Sequence, residues 1–151
     1  VVARHGVPVA GLGQLGLTHT FPPAEVLAEA DLTGTGLTGA RIDAIHHFAR
    51  AVAAADIRLD RSRSLDEQLA SLVAVPGVGP WTANYLALRM GEADAFPSTD
   101  LGLRRAVESL GASIRATGDV GQVAERWRPW RAHAAMHLWS TPRSDPAPAV
   151  S

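Results

Sequence analysis

The residues best suited to chemistry in this sequence are one carboxylate, a set of aromatic rings and a glycine-rich turn. Asp100 follows Pro97, Ser98 and Thr99 and precedes a run with leucines at 101 and 103 and a valine at 107. That is the N-cap position of a helix, which aspartate fills well, and a helix N-terminus favours the ionised carboxylate. Position alone therefore makes Asp100 a cap. Trp81, Tyr85 and Leu88 lie three and four residues apart and share one helical face. Such a face serves as core, or as a platform on which a flat or cationic ring stacks. In the turn PGVGP the amides of Gly77, Val78 and Gly79 are uncovered and lie at the N-terminus of a helix. They form an anion site without a basic side chain, unless the turn is simply a packed helix corner. His133 and His137 have the i,i+4 spacing of a metal pair, but no third ligand is evident. His46 and His47 are assigned a structural role, and Trp127 and Trp130 to core or interface.

These groups need positioning elements. Ser64 followed by Glu67 is a capping box, and Leu65, Leu69, Leu72 and Val73 then recur at helical spacing. Pro76-Gly77 stops this helix, and Gly77 and Gly79 let the backbone turn where a side chain would clash. Pro80 opens the next helix, where the donor it lacks would be unpaired anyway. After Asp100 a helix is expected through Leu110, with Leu101, Leu103 and Val107 inward. A loop over 111–118 follows, then helices over 119–127 and 129–139, the last with Pro129 in its first turn. Upstream, residues 7–16 form a loop and PPAEVLAEAD a short helix. Thr38 caps a long helix over 39–55 with Ile42, Ile45, Phe48 (or Ala49) and Val52 on its buried side. Residues 60–63 form a charged, solvated loop, and residues 141–151, with three prolines, a flexible tail. No useful β alternation occurs, so the fold class is all-α.

Composition narrows the function. At 151 residues and 46% hydrophobic, the chain has one domain's length and enough apolar residues for a core. Net charge is −1, so any nucleic-acid contact is local. Cysteine is absent, which removes disulfides, zinc–thiolate sites and a cysteine-held iron–sulfur cluster from this chain. No apolar run is long enough to span a membrane, and no signal peptide is present, so a cytoplasmic location is the default expectation. Val1 is not a start methionine, and VVARHG has the pattern of a helix's final turn, so the sequence is expected to be a fragment.

The run LVAVPGVGPWTANYLALR, followed by DAFPSTDLGL, resembles the helix-hairpin-helix signature of DNA base-excision glycosylases, most closely the 3-methyladenine DNA glycosylase II family. The likeness continues through AERWRPWRAHAAMHLW and, more weakly, upstream through LTGTGLTGARIDAIHHFARAV. It implies a partial glycosylase domain over 1–140, with the hairpin motif at 64–91, lacking a preceding wedge helix and a separate N-terminal domain. It implies that Asp100 is the catalytic carboxylate and that Trp81, Tyr85 and Trp139 wall the pocket for a base flipped out of duplex DNA. It further implies that Gly77, Val78, Gly79 and the Thr82 hydroxyl hold a phosphate. Carbonyls of Val73, Val75 and Val78 would hold a monovalent cation, with no other cofactor required and no iron–sulfur cluster. Arg104, Arg105, Arg128 and Arg131 are candidates for further phosphate contacts.

The expected activity is hydrolysis of the N-glycosidic bond of alkylated purines of the 3-methyladenine and 7-methylguanine type, by a monomer acting on double-stranded DNA. The chain has no lysine, and Trp81 stands where bifunctional relatives carry one, so a Schiff-base lyase step is unavailable and the enzyme is expected to be monofunctional. A non-catalytic helix-hairpin-helix DNA-binding module, and a glycosylase for a deaminated or mismatched base, remain open alternatives. As a fragment, the chain is also open to being inactive.

Overall fold

Local signals in the sequence set most of the helix boundaries. The structure, a computed structural model, describes residues 1–60, 62–110 and 119–140. The expected loop over 111–118 and the tail over 141–151 lie outside the described residues. In chain order the helices are α1 (Val2–His5), α2 (Ala24–Leu27), α3 (Gly39–Ala53), α4 (Leu65–Val73), α5 (Pro80–Arg89), α6 (Leu101–Ser109), α7 (Val120–Ala124) and α8 (Arg131–Ser140). Short 3-10 turns cover Gly13–Leu15 and Glu125–Trp127. The extended backbone among the described residues includes an isolated antiparallel bridge between Pro8 and His19. No described helix is long and apolar enough to cross a membrane.

The chain divides into two compact units, Val1–Gly79 and Pro80–Ser151, so the boundary falls in the hairpin turn. In the first unit α2 packs on α3, and Ala28, Leu32 and Ala49 are buried. His46 Nε2 donates to the Ala30 carbonyl at 3.0 Å, a structural use of that histidine. Helix α3 ends on Ala55 at φ +61, a left-handed conformation, while the Asp56 and Ile57 amides return to the Ala51 carbonyl. Ser64 and Glu67 form the capping box: Ser64 Oγ accepts from the Glu67 amide, and Glu67 Oε2 accepts from the Ser64 amide at 2.9 Å. Leu72 is fully buried, whereas Val73, expected on the same face, is 43% exposed. Val73 sits about 100° around the helix from Leu72, and the buried row runs through Gln68 instead.

In the second unit α6 packs on α8 around Phe96, Leu103, Val107, Val123, Ala135 and Leu138. Leu101, expected inward, is 66% exposed. It lies two residues from Leu103, about 200° around the helix, so the two leucines cannot share a face. Pro129 is not in the first turn of a helix. It lies in a turn closed by the Trp130 amide on the Trp127 carbonyl at 2.7 Å, and Trp130 then receives the first helical hydrogen bond from Ala134.

Candidate active site

Asp100 caps α6: its Oδ1 accepts from the Leu103 amide at 2.9 Å. The same oxygen accepts from Trp139 Nε1 at 3.0 Å, and Oδ2 accepts from Trp81 Nε1 at 2.8 Å. The three chain segments that meet here come from the start of α5, the start of α6 and the end of α8. Burial pushes the Asp100 carboxyl upward. The donors from Trp139, Leu103, Trp81 and the Gly102 amide outweigh it and hold the pKa below its ordinary 3.8. The carboxylate is therefore ionised at neutral pH and is a weak base.

The tryptophans are also part of a ring cluster. Trp81 lies parallel to Tyr85, with centroids 5.3 Å apart and 4° between planes. Tyr85 meets Trp139 edge-on at 6.0 Å and 68°. Trp81 is 40% exposed, so an electron-rich ring is partly open to solvent beside a negative charge. Both features attract a cationic flat ring. The geometry thus brings Asp100, Trp81, Tyr85 and Trp139 together. Trp127 instead packs on Phe96 at 6.0 Å in the core, and Trp130 is exposed beside His133.

The two glycines of the turn differ. Gly77 has φ +87, and a Cβ there would stand 2.5 Å from Ala44 Cβ, so the fold itself demands glycine. At Gly79 φ is unexceptional, and a Cβ would meet nothing within 4 Å among the described residues. The expectation of a clash therefore holds for Gly77 and not for Gly79. The Val78 amide bonds the Val75 carbonyl at 3.0 Å, so it is partly used in closing the turn. Thr82 lies in the first turn of α5. Of the three carbonyls expected to hold a cation, those of Val73, Val75 and Val78, the Val75 carbonyl is the one that takes the Val78 amide.

Several residues near the site were not singled out by sequence. Asn84 Oδ1 accepts from the Phe96 amide at 3.1 Å, while its Nδ2 donates to the Pro80 carbonyl at 3.0 Å. A Cβ on Gly102 would lie 3.0 Å from Asp100 Oδ1 and 3.6 Å from Trp139 Cδ1. Arg128 and Arg131, candidates for phosphate, are bound to Asp94 and Glu125. Arg104 pairs with Glu108 at 3.3 Å. No cluster of three metal-binding side chains occurs among the described residues.

No protein-family model matches the chain. It is 42% identical over 142 residues to the probable bifunctional transcriptional activator/DNA repair enzyme AlkA of Mycobacterium tuberculosis, covering 93% of this chain and 28% of that protein. It is 32% identical over 125 residues to DNA-3-methyladenine glycosylase 2 of Escherichia coli, covering 80% of this chain and 43% of that protein. Among solved structures, 3-methyladenine DNA glycosylase Mag1 of Schizosaccharomyces pombe, in complex with abasic DNA, matches with a TM-score of 0.68 and 25% identity. That match covers 80% of this chain and 63% of Mag1. The chain thus spans less than half the length of the curated relatives it matches here.

Proposed function

Because this chain belongs to the helix-hairpin-helix DNA glycosylase family, we propose that it hydrolyses the N-glycosidic bond of alkylated purines, of the 3-methyladenine and 7-methylguanine type, in double-stranded DNA. The observation that carries this reading is Asp100: a single ionised carboxylate, held by two indole N–H groups and a helix N-terminus, beside an exposed aromatic face.

The chemistry follows from that arrangement. The damaged nucleotide leaves the helix stack, and its cationic base lies against the Trp81, Tyr85 and Trp139 rings. As the C1′–N bond breaks, the base keeps the bonding pair and departs neutral, while oxocarbenium-like charge builds on the sugar. Asp100 stabilises that charge electrostatically. The indole and amide donors hold the carboxylate in one orientation as it faces the reacting sugar. Water then adds to C1′ and gives up a proton. The absence of lysine makes the reaction monofunctional.

We assign the amides of Gly77, Val78 and Gly79, and the Thr82 hydroxyl, to holding the DNA backbone. A monovalent cation at the carbonyls of Val73, Val75 and Val78 would add positive charge beside a phosphate; no other cofactor is needed. The protein is assigned to the cytoplasm and acts as a monomer.

The test is incubation of the chain with methylated duplex DNA, with free bases separated by chromatography. Release of 3-methyladenine or 7-methylguanine supports the reading. DNA binding without release of any base points to a binding module, and release of only a deaminated or mismatched base points to another lesion.

A further inference from the structure

Asp100 ends a loop, and its two indole contacts are useful only if that loop arrives in one register. Resting on the glycosylase reading, we propose that Arg131 and Asp94 form a clamp that positions Asp100, making Arg131 a positioning residue and not a DNA contact. Arg131 Nε donates to the Asp94 Oδ1 at 2.8 Å and to the Asp94 carbonyl at 3.1 Å, and Nη2 donates to Oδ2 at 2.9 Å. Nη1 donates to Glu125 at 2.8 Å. The side chains of Arg131 and Asp94 are only 14% and 19% exposed, so the guanidinium is committed to this pair and has little surface left for phosphate. The Ala132 amide adds a bond to the Ala93 carbonyl at 2.9 Å.

Helix α8 therefore holds the loop at two points. Arg131 fixes Asp94, six residues before Asp100. Trp139, about 12 Å further along the same helix at 1.5 Å per residue, fixes Asp100 at the loop's end. Between them, Asn84 on α5 takes the Phe96 amide, and α5 also carries Trp81. Ala95, Phe96 and Pro97 are buried. A close-packed segment transmits displacement instead of absorbing it, so a shift at Asp94 moves Asp100 against its indole donors. The planar fork contacts both carboxylate oxygens and the carbonyl at once, a geometry that a lysine ammonium cannot reproduce.

The test uses Arg131→Lys and the milder Asp94→Asn. The indole N–H resonances of the four tryptophans are recorded by ¹H–¹⁵N NMR, and Asp100→Asn identifies the two that report on Asp100. With the clamp weakened, those two resonances move toward their Asp100→Asn positions. In base release, kcat falls about ten- to a hundredfold, the scale of an ångström misplacement, while KM and duplex binding hold. Indole resonances that stay at parental positions in both folded variants overturn the clamp. A parent chain that releases no methylated base bears on the glycosylase reading alone, because the resonances still decide whether the clamp positions Asp100.

Discussion

A methyl group at residue 77 and one at residue 79 are expected to act on different properties of the protein. Gly77 has φ +87, and its added Cβ would stand 2.5 Å from Ala44 Cβ and 3.2 Å from Ala44 Cα, the latter helix backbone that cannot retreat cheaply. The left-handed backbone costs a non-glycine residue about 1–2 kcal/mol, offset in part by the chain entropy that glycine loses, roughly 0.5–1 kcal/mol. Overpacking against α3 adds about 1–3 kcal/mol. Gly77→Ala is therefore expected to lose about 1–4 kcal/mol, which lowers Tm by roughly 3–15 °C in a chain of this size. At Gly79 the backbone is unexceptional and the Cβ meets nothing among the described residues. Gly79→Ala is expected to stay within about 0.5 kcal/mol of the parent, yet to weaken duplex DNA binding, since on the proposed reading the hairpin amides beside its methyl hold a phosphate. Thermal unfolding by circular dichroism and DNA titration by anisotropy read the two effects separately. Equal destabilisation by both changes, or parental DNA affinity in Gly79→Ala, would refute the division.

Three other perturbations probe the site and the fold. Trp139→Phe keeps a ring but removes a donor to Asp100 Oδ1. Because donors depress the folded pKa, their stabilisation is complete above the ordinary 3.8 and is lost as pH falls through the depressed value. In Trp139→Phe the acid limb of the base-release profile should move to higher pH; a limb unchanged from the parent would separate the indole from the carboxylate. Gly102→Ala presses a methyl group to 3.0 Å from Oδ1. It should slow base release several-fold at single turnover without changing DNA affinity, as an orientational effect does. Ala55→Gly relieves the left-handed residue after α3 and should raise stability by about 0.5–1 kcal/mol in urea unfolding.

What could be read from sequence was local. Ser64 and Glu67 announce their capping box, Asp100 its cap, and Trp81 and Tyr85 their common face, because each depends on spacing within one or two turns. Helical spacing also named Leu101 and Val73 as inward, and both are exposed. Periodicity at a helix end leaves the angular limit of the buried stripe undefined. Long-range pairing was invisible. Trp139 and Trp81 were candidates as rings, but nothing in their spacing showed that both N–H groups would be spent on one carboxylate. Arg131 looked like any helical arginine until Asp94 was placed beside it. Asn84 likewise carries no signal of a partner twelve residues away. Gly79 is the reverse case: the sequence marks it, while the described fold alone does not require it.

The most direct test concerns Asp100 itself. Asparagine remains a good N-cap, so Asp100→Asn should unfold within a few degrees of the parent. At about 4 Å from the developing charge, with an effective dielectric near 20, the lost attraction is about 4 kcal/mol, or about three decades in rate. The measurement is single-turnover release of 7-methylguanine from a duplex bearing one such lesion, at saturating protein. The expected result is a roughly thousandfold slower Asp100→Asn with DNA binding intact. A folded, DNA-bound Asp100→Asn that releases the base within tenfold of the parent rate would contradict the assignment of Asp100 as the catalytic carboxylate.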